Sequence, residues 1–268
     1  MVRIAAVGDL HVTAGSAGRL RPLYRRVAEV ADVLLLAGDL TNDGGTDSAA
    51  DVCVLFRDLD LPVIAVLGNH DYDRGHQATV GEMLTEAGVT VLEGTSTVVD
   101  TARGRVGIAG AKGFGGGFAG YTVAAHGEPE MKTFAMHAEE AARALDGALS
   151  ALDVDLQVAL THYAPTRQTL VGEPPELYPF LGSHLLGAMI DGEDVHGGPA
   201  AGEPPKTGHP RGPAAADRHR VALALHGHAH YGTEVGATPA GTPVRNVAAP
   251  VIGVPFAVYQ LPTAKRLR

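Results

Sequence analysis

Residues 63–71 read VIAVLGNHD, an apolar run that stops at a glycine and continues into three polar residues. A short apolar run bounded in this way is typical of a buried strand in a largely parallel α/β sheet. Ligands of such sheets bind beyond the carboxyl ends of the strands. Asn69 and His70 are therefore predicted to lie at a functional edge.

The same pattern occurs at four other places in the chain. The apolar runs 4–7, 33–37, 158–160 and 221–225 are followed by Asp9-Leu10-His11, Gly38-Asp39, Thr161-His162 and His226-Gly227-His228-Ala229-His230. Asp9, Asp39 and Asn69 are spaced 30 residues apart, about the length of one strand–helix–strand unit. We therefore expect an α/β fold in which all five motifs meet at one edge.

The segments between the motifs complete this outline. Helical periodicity predicts helices over 20–31, 49–59, 77–87 and 129–149. Further strands are predicted at 89–92, 97–100, 106–109 and 156–160, the first three as a meander that extends the sheet, with two closing strands in 241–261. Residues 113–120 are predicted to form a Gly-rich loop.

The length and composition fit one soluble domain spanning 1–268. Residues 191–218, rich in Gly, Pro and Ala, are predicted to be a flexible insertion. The formal net charge of -9 argues against binding of a long nucleic acid but permits a small phosphate ester. Cys53 is the only cysteine, and the first apolar run is too short for a signal peptide or a membrane span. We expect a cytoplasmic protein without a membrane partner.

The residues at the strand ends suit a particular class of metal. Two aspartates, an asparagine and four histidines offer hard oxygens and imidazoles, which first-row divalent metals prefer, and they exceed the needs of one ion. Asp39 is the central carboxylate and is predicted to bridge two ions. Strand alternation predicts that Asp9 and His11 share one ion, whereas His228 and His230 either share an ion or diverge to two.

His70 is predicted to have a different role from its neighbour. If Asn69 faces the metals, His70 points the other way, towards the substrate. An imidazole titrates near physiological pH and can act as a general acid. We therefore assign His70 as the acid that protonates the leaving oxygen.

Taken in order, the five motifs resemble the signature of the calcineurin-like metallophosphoesterases. The segment Thr161-His162-Tyr163-Ala164-Pro165 is similar to bacterial phosphoesterases related to the cyclic-nucleotide phosphodiesterase branch. The resemblance implies a four-layer α/β sandwich, in which two mixed β-sheets are flanked by α-helices. It also implies a cofactor of two divalent metal ions, for which Mn, Fe and Zn are all suitable.

The resemblance further implies a role for each site residue. Asp9, His11 and His230 would hold the first ion, Asn69, His162 and His228 the second, and Asp39 both. A metal-bridging hydroxide would attack phosphorus in line while His70 acts as the acid. Many members carry an acidic residue where this chain has Asn42. We expect the Asn42 side chain to orient His70 by a hydrogen bond without stabilising its charged form as a carboxylate would.

The leading hypothesis is hydrolysis of a small phosphodiester, for which a nucleotide is one candidate. The alternatives are a phosphomonoesterase with the same site and a non-catalytic metal-binding scaffold, although scaffolds of this kind typically lose ligands. Phe114 or Phe118 is predicted to border the site and stack on a base. Tyr163 either reaches the substrate or packs in the core.

Overall fold

The computed structural model describes residues 1–118, 120–193 and 221–267. Its strands are β1 (Arg3–Val7), β2 (Val33–Ala37), β3 (Val63–Val66), β4 (Val89–Val91), β5 (Thr95–Thr101), β6 (Gly104–Ala111), β7 (Gly117–Phe118), β8 (Tyr121–Thr122), β9 (Gln157–Thr161), β10 (Val221–His226), β11 (Val235–Ala237), β12 (Pro243–Asn246), β13 (Ala257–Gln260) and β14 (Lys265–Leu267). The α-helices are α1 (Ala17–Leu20), α2 (Val27–Val30), α3 (Thr46–Phe56), α4 (Gln77–Glu86), α5 (Pro129–Ser150), α6 (Tyr178–Leu181), α7 (His184–Ile190) and α8 (Ala249–Ile252). Single 3-10 turns cover Arg21–Leu23, His70–Tyr72, Arg167–Leu170 and Pro175–Leu177.

Within the described residues, the strands form two six-stranded sheets and one small hairpin. The first sheet has the order β14-β13-β1-β2-β3-β4 and the second β11-β12-β10-β9-β6-β5. β1 to β4 pair in parallel, while β13 joins β1 antiparallel. In the second sheet, β9 pairs in parallel with both β10 and β6, and β5 pairs antiparallel with β6. Both sheets are therefore mixed.

Side-chain alternation in the second sheet shows how the layers pack. Val158 and Leu160 of β9 belong to the core shared with the first sheet, whereas Ala159 between them faces the cluster built with α5 and α7. Ala224 of β10 likewise faces that helical cluster, and small alanines allow close approach of the helices. α3 and α4 also pack in the first core, to which α3 contributes Val52. The expected α/β sandwich of two mixed sheets flanked by helices is therefore confirmed.

The predicted meander is wrong, because its strands divide between the two sheets. β4 continues the first sheet, with the Leu92 amide donating to the Ala65 carbonyl at 2.8 Å. The chain then crosses over, and the Gly94 amide donates to the Gly110 carbonyl of β6 at 2.9 Å. Gly94 has a φ of +67°, a left-handed conformation that glycine adopts without steric cost. This turn directs β5 and β6 into the second sheet.

Two further expectations need correction. The helix expected over 20–31 is broken into α1, a 3-10 turn and α2, since Pro22 cannot donate a helical hydrogen bond, and Leu23 is left exposed. The loop 113–120 contains β7, which pairs with β8. By contrast, α4 and α5 cover nearly the predicted residues. The two closing strands are also present, β12 in the second sheet and β13 in the first.

The predicted insertion 191–218 lies outside the described residues except for its first three. Of these, Asp191 accepts hydrogen bonds from the Thr238 and Thr242 hydroxyls at 2.5 and 3.0 Å, which ties the end of α7 to the turn before β12. No helix in the described ranges combines the length and apolar character needed to cross a membrane.

Candidate metal centre

The five motif loops converge at one end of the sandwich. β1, β2 and β3 are parallel neighbours in the first sheet, and β9 and β10 are parallel neighbours in the second. Their carboxyl ends therefore lie along two facing edges. The Asp9 amide donates to the Gly38 carbonyl at 2.9 Å, and the Gly227 amide donates to the His162 carbonyl at 3.1 Å. Backbone contacts thus fix the loops to one another.

Several of the converging residues have unusual backbone conformations. Asp9, His11, Asp39 and His228 have φ values of 57°, 44°, 50° and 69°, in a region that L-residues seldom adopt. Such conformations cost of the order of 1–3 kcal/mol each and concentrate at functional sites. Asp9 and His11 approach each other through these turns beyond the end of β1, and not through the strand alternation that we expected.

Two glycines make room for the carboxylates. A side chain at Gly68 would overlap the carboxylate of Asp39, and one at Gly227 would overlap that of Asp9. Each aspartate is almost fully buried, with relative exposures of 4% for Asp9 and 1% for Asp39. The glycines of the motifs therefore serve to admit the acidic groups into the space between the loops.

The potential ligand atoms form three groups whose members lie within 4.8 Å of one another. The groups are Asp9, His11 and His230; Asp39, His162 and His228; and His11, Asp39 and His70. His228 and His230 belong to different groups, which favours the divergent one of the two arrangements left open for them. Asp39 belongs to the second and third groups, and its Oδ2 lies 3.8 Å from Nε2 of His11, a member of the first.

The hydrogen bonds of His162 determine which of its nitrogens faces the centre. Its Nδ1 donates to the Ala37 carbonyl at 2.9 Å, so in the neutral ring Nε2 carries a lone pair. That nitrogen lies 2.9 Å from Asn69 Oδ1 and 3.4 Å from Asp39 Oδ1. Three lone-pair atoms thus converge in a buried place, and a divalent cation would neutralise their repulsion.

His228 is oriented in a similar way. Its Nε2 donates to the Phe180 carbonyl at 3.2 Å, so in the neutral ring Nδ1 carries the lone pair that can bind a metal. Burial lowers the pKa of His228 to about 3, so the ring is neutral at physiological pH, as a ligand must be.

The first group offers an equivalent set of donors. His230 Nε2 lies 2.9 Å from Asp9 Oδ1 and 3.4 Å from His11 Nε2. Burial lowers the pKa of His11. Burial would raise the pKa of Asp9, but the hydrogen bond from His230 and the nearby imidazoles outweigh it and lower that pKa. The hydrogen bond to Asp9 raises the pKa of His230, so an ion bound here would take the place of a proton on that ring. The donor types of this group therefore also fit a divalent ion.

Asp39 shows the opposite tendency to Asp9. Burial raises its pKa, and the neighbouring Asp9 carboxylate acts in the same direction. Two cations beside it would remove this penalty and hold both aspartates ionised.

His70 lies at the open side of the centre. Its side chain is 38% exposed, and Nε2 lies 4.0 Å from Asp39 Oδ2. Its Nδ1 donates to the backbone carbonyl of Asn42 at 2.9 Å and lies 3.3 Å from Asp73 Oδ2. The expectation that the Asn42 side chain orients this ring is therefore wrong. The main chain holds the ring, and Asp73 supplies a carboxylate beside it.

Three other residues near the site were given no role from the sequence. Asp71 is fully buried and accepts hydrogen bonds from the Thr41 and Gly68 amides, both at 2.8 Å, which joins the loops after β2 and β3. His226 is buried between the Gly227 carbonyl and the Thr169 hydroxyl. Lys112 follows β6 at the same edge as the ligands. Asp71 and His226 had a detectable signal, since each lies within one of the five motifs, whereas Lys112 had none.

The aromatic expectations have different outcomes. Phe118 is buried in a core cluster with Leu170 and Leu181, so its predicted stacking on a base is wrong. Phe114 remains at the border, 5.7 Å from the ring of Tyr163. The Tyr163 ring is itself buried and lies 4.4 Å from the ring of His228. Of its two interpretations, packing is the one that the structure supports.

Comparisons with solved structures show where else this fold occurs. A phosphopantetheinyl hydrolase from Mycobacterium tuberculosis superposes with a TM-score of 0.62 at 18% identity, covering 92% of this chain and 89% of that one. The protein TT1561 of Thermus thermophilus gives 0.52 at 18% identity, with 99% and 97% coverage. GAP50, the anchor in the inner membrane complex of Plasmodium, gives 0.53 at 12% identity, with 96% and 80% coverage. At these identities the similarity establishes the fold alone.

The comparison of sequences goes further than that of structures. No curated protein matches the chain. The family model described as calcineurin-like phosphoesterase, however, matches residues 2–232, a range that contains all five motifs and every residue of the three ligand groups. The chain therefore belongs to the calcineurin-like phosphoesterase family.

Proposed function

We propose that this chain, a metal-dependent phosphoesterase by family, hydrolyses a small phosphodiester, with a nucleotide as one candidate substrate. The observation that supports this most directly is the position of Asp39, which groups with His162 and His228 and lies 3.8 Å from His11 of the first group. A carboxylate in that position can serve two ions that together clamp a phosphate during in-line displacement.

In this proposal the first two groups hold one ion each. Asp9, His11 and His230 bind the first, Asn69, His162 and His228 bind the second, and Asp39 binds both. When bound, two divalent ions would polarise the phosphate oxygens and supply the nucleophilic water in an ionised state. Mn, Fe and Zn all accept this ligand set.

His70 is the proposed general acid. Because its Nδ1 donates to the Asn42 carbonyl, the ring is held in one orientation and Nε2 carries the transferable proton when the imidazole is charged. Nε2 faces Asp39 from the exposed side, where a leaving oxygen would be accessible. Asp73 places a negative charge beside the nitrogen that remains protonated.

The choice of a diester over a monoester rests on similarity. The segment 161–165 resembles the cyclic-nucleotide phosphodiesterase branch, and one solved relative is named a phosphopantetheinyl hydrolase. A phosphomonoesterase with the same site is the first alternative. GAP50 is named an anchor, so a non-catalytic scaffold is the second. As parts of the same proposal, the enzyme acts in the cytoplasm on a small molecule and not on a long nucleic acid.

A turnover screen tests the proposal. The purified protein is stripped of metal, reloaded separately with Mn, Zn and Fe, and assayed on bis- and mono-p-nitrophenyl phosphate, cyclic nucleotides and a phosphopantetheinyl ester. We expect metal-restored cleavage with preference for diesters. Preference for monoesters would support the phosphatase instead, and silence with two bound ions would support the scaffold.

Two histidine variants separate the acid from the metals. His70→Asn should retain both ions. Its kcat on esters with poor leaving groups should fall by a factor of about 10²–10⁴, the usual contribution of a general acid. His76→Asn, an exposed histidine in the same segment, is the matched control. Unchanged turnover in His70→Asn would contradict the acid role without affecting the metal assignment.

A further inference from the structure

Lys112 occupies a strand end that none of the five motifs uses. β6 and β9 are parallel, and their last residues, Ala111 and Thr161, are paired. Lys112 is therefore the first residue after β6, just as the proposed ligand His162 is the first residue after the neighbouring strand β9. The amides of His162 and Tyr163 both donate to the Lys112 carbonyl, at 3.0 and 3.1 Å. This places a cationic side chain at the edge of the sheet where the metal centre lies.

The ammonium group lies in an aromatic recess. Its Nζ is 4.9 Å from the ring centroid of Tyr72 and 5.3 Å from those of Phe114 and Tyr163. Ring faces attract a cation, but they do not neutralise its charge. Tyr163 separates Lys112 from His228, so the ammonium lies beside the metal centre and not within it.

No carboxylate of the described residues forms an ion pair or hydrogen bond with this ammonium. Glu93 and Asp39 are near enough to attract it, which opposes the lowering of its pKa by burial. The oxygens of Glu93, however, are engaged by the Tyr72 hydroxyl at 3.2 Å and the Leu67 amide at 3.4 Å. The donors of Lys112 therefore remain available to an anion.

We infer that Lys112 and the rings around it form a second anion subsite, which binds an acidic group of the substrate other than the phosphate held at the metals. The inference rests on the proposed function and narrows it to phosphate esters that carry a further phosphate or carboxylate. Tyr72 and Phe114 would pack against the apolar linker between the two anionic groups. A half-buried ammonium that no carboxylate of the described residues contacts is costly unless a ligand compensates it.

Non-hydrolysable probes test the subsite without turnover. Calorimetry on the manganese-loaded protein compares butylphosphonate with propane-, butane- and pentane-α,ω-bisphosphonates. We expect at least one bisphosphonate to bind about 10- to 100-fold more tightly than the monophosphonate, the range for one added set of charge-assisted hydrogen bonds. Lys112→Met should abolish this ratio, whereas Lys112→Arg should retain part of it because the charge is kept.

The control is Lys265→Met, which removes an exposed lysine on β14 at the edge of the first sheet. It should keep the wild-type ratio. Equal binding of mono- and bisphosphonates by the wild type, or a ratio that persists in Lys112→Met, would overturn the subsite while leaving the metal centre intact. Failure of every phosphonate to bind would contradict the proposed function as well.

Discussion

Replacing Asp71 by Asn tests how the loops of the centre are held together. Asp71 Oδ1 accepts from the Thr41 amide and hydroxyl at 2.8 and 2.7 Å, and Oδ2 accepts from the Gly68 and Leu40 amides at 2.8 and 3.2 Å. An asparagine keeps one oxygen and presents an NH₂ group to the other two donors. Two bonds to a charged acceptor are lost, each worth about 1.5–3 kcal/mol.

We therefore expect Asp71→Asn to lower the free energy of unfolding by about 3–6 kcal/mol, a large part of the roughly 5–15 kcal/mol of a typical domain. The assay is urea unfolding of the metal-free protein followed by circular dichroism, since bound metal would stabilise the native state and mask the loss. The variant should also bind less metal, because Gly68 precedes the proposed ligand Asn69.

The matched control is Asp73→Asn, two residues further on, whose carboxylate is 52% exposed. Loss of an exposed ion pair is worth about 0.2–1 kcal/mol, so this variant should unfold close to the wild-type midpoint. A loss below about 1 kcal/mol in Asp71→Asn, or equal losses in the two variants, would refute the reasoning that a single buried carboxylate joins these loops.

Three further predictions concern the acid, the pH dependence and the glycines. Asp73→Asn should lower kcat up to about fivefold on phenyl esters but not on p-nitrophenyl esters, because the p-nitrophenolate leaving group needs little protonation. The control is Asp60→Asn, at an exposed position, and an equal loss on both esters would refute the prediction. Burial lowers the pKa of His226 to about 4, so as the pH drops the unfolded state binds this proton before the folded state does. The free energy of unfolding should therefore fall between about pH 6.5 and 4, by up to about 1.4 kcal/mol per pH unit. In urea unfolding at a series of pH values, His226→Gln should show a pH dependence smaller by that amount, and an unchanged pH dependence would count against the prediction. Gly68→Ala should reduce bound metal, measured by atomic emission, because its side chain overlaps Asp39, whereas Gly81→Ala, in open space on α4, should not.

The sequence predicts which residues come together as potential ligands because their chemistry is local. A polar residue of a metal-binding type directly after an apolar run can be recognised without knowing which strands pair, since parallel strand ends share an edge. What it could not predict depends on contacts across the chain. The orientation of His70 comes from a main-chain carbonyl at Asn42, which every residue type possesses, and the burial of Phe118 depends on Leu170 and Leu181.

The division of strands between the two sheets was missed for the same reason. β4 and β5 are separated by three residues, and nothing in their apolar pattern distinguishes a meander from a crossover. The path of the chain is set by the left-handed turn at Gly94 and by the two carbonyls that accept hydrogen bonds on either side of it, Ala65 in the first sheet and Gly110 in the second. Glycine indicates that such a turn is allowed, but the direction of the chain after it is set by the two packed sheets.

The fold and the ligand set specify different parts of the function. Relatives named a hydrolase and an anchor share this fold at comparable TM-scores, so the sandwich alone does not determine catalysis. The proposed ligand groups around Asp39 would supply the chemistry common to all phosphate esters, because every such ester presents the same oxygens to the metals. Selectivity must therefore come from groups beside the centre. Lys112 is a cation placed there, and no carboxylate of the described residues forms an ion pair with it. If the bisphosphonate preference depends on this lysine, the strand end of β6 distinguishes substrates that the five motifs cannot.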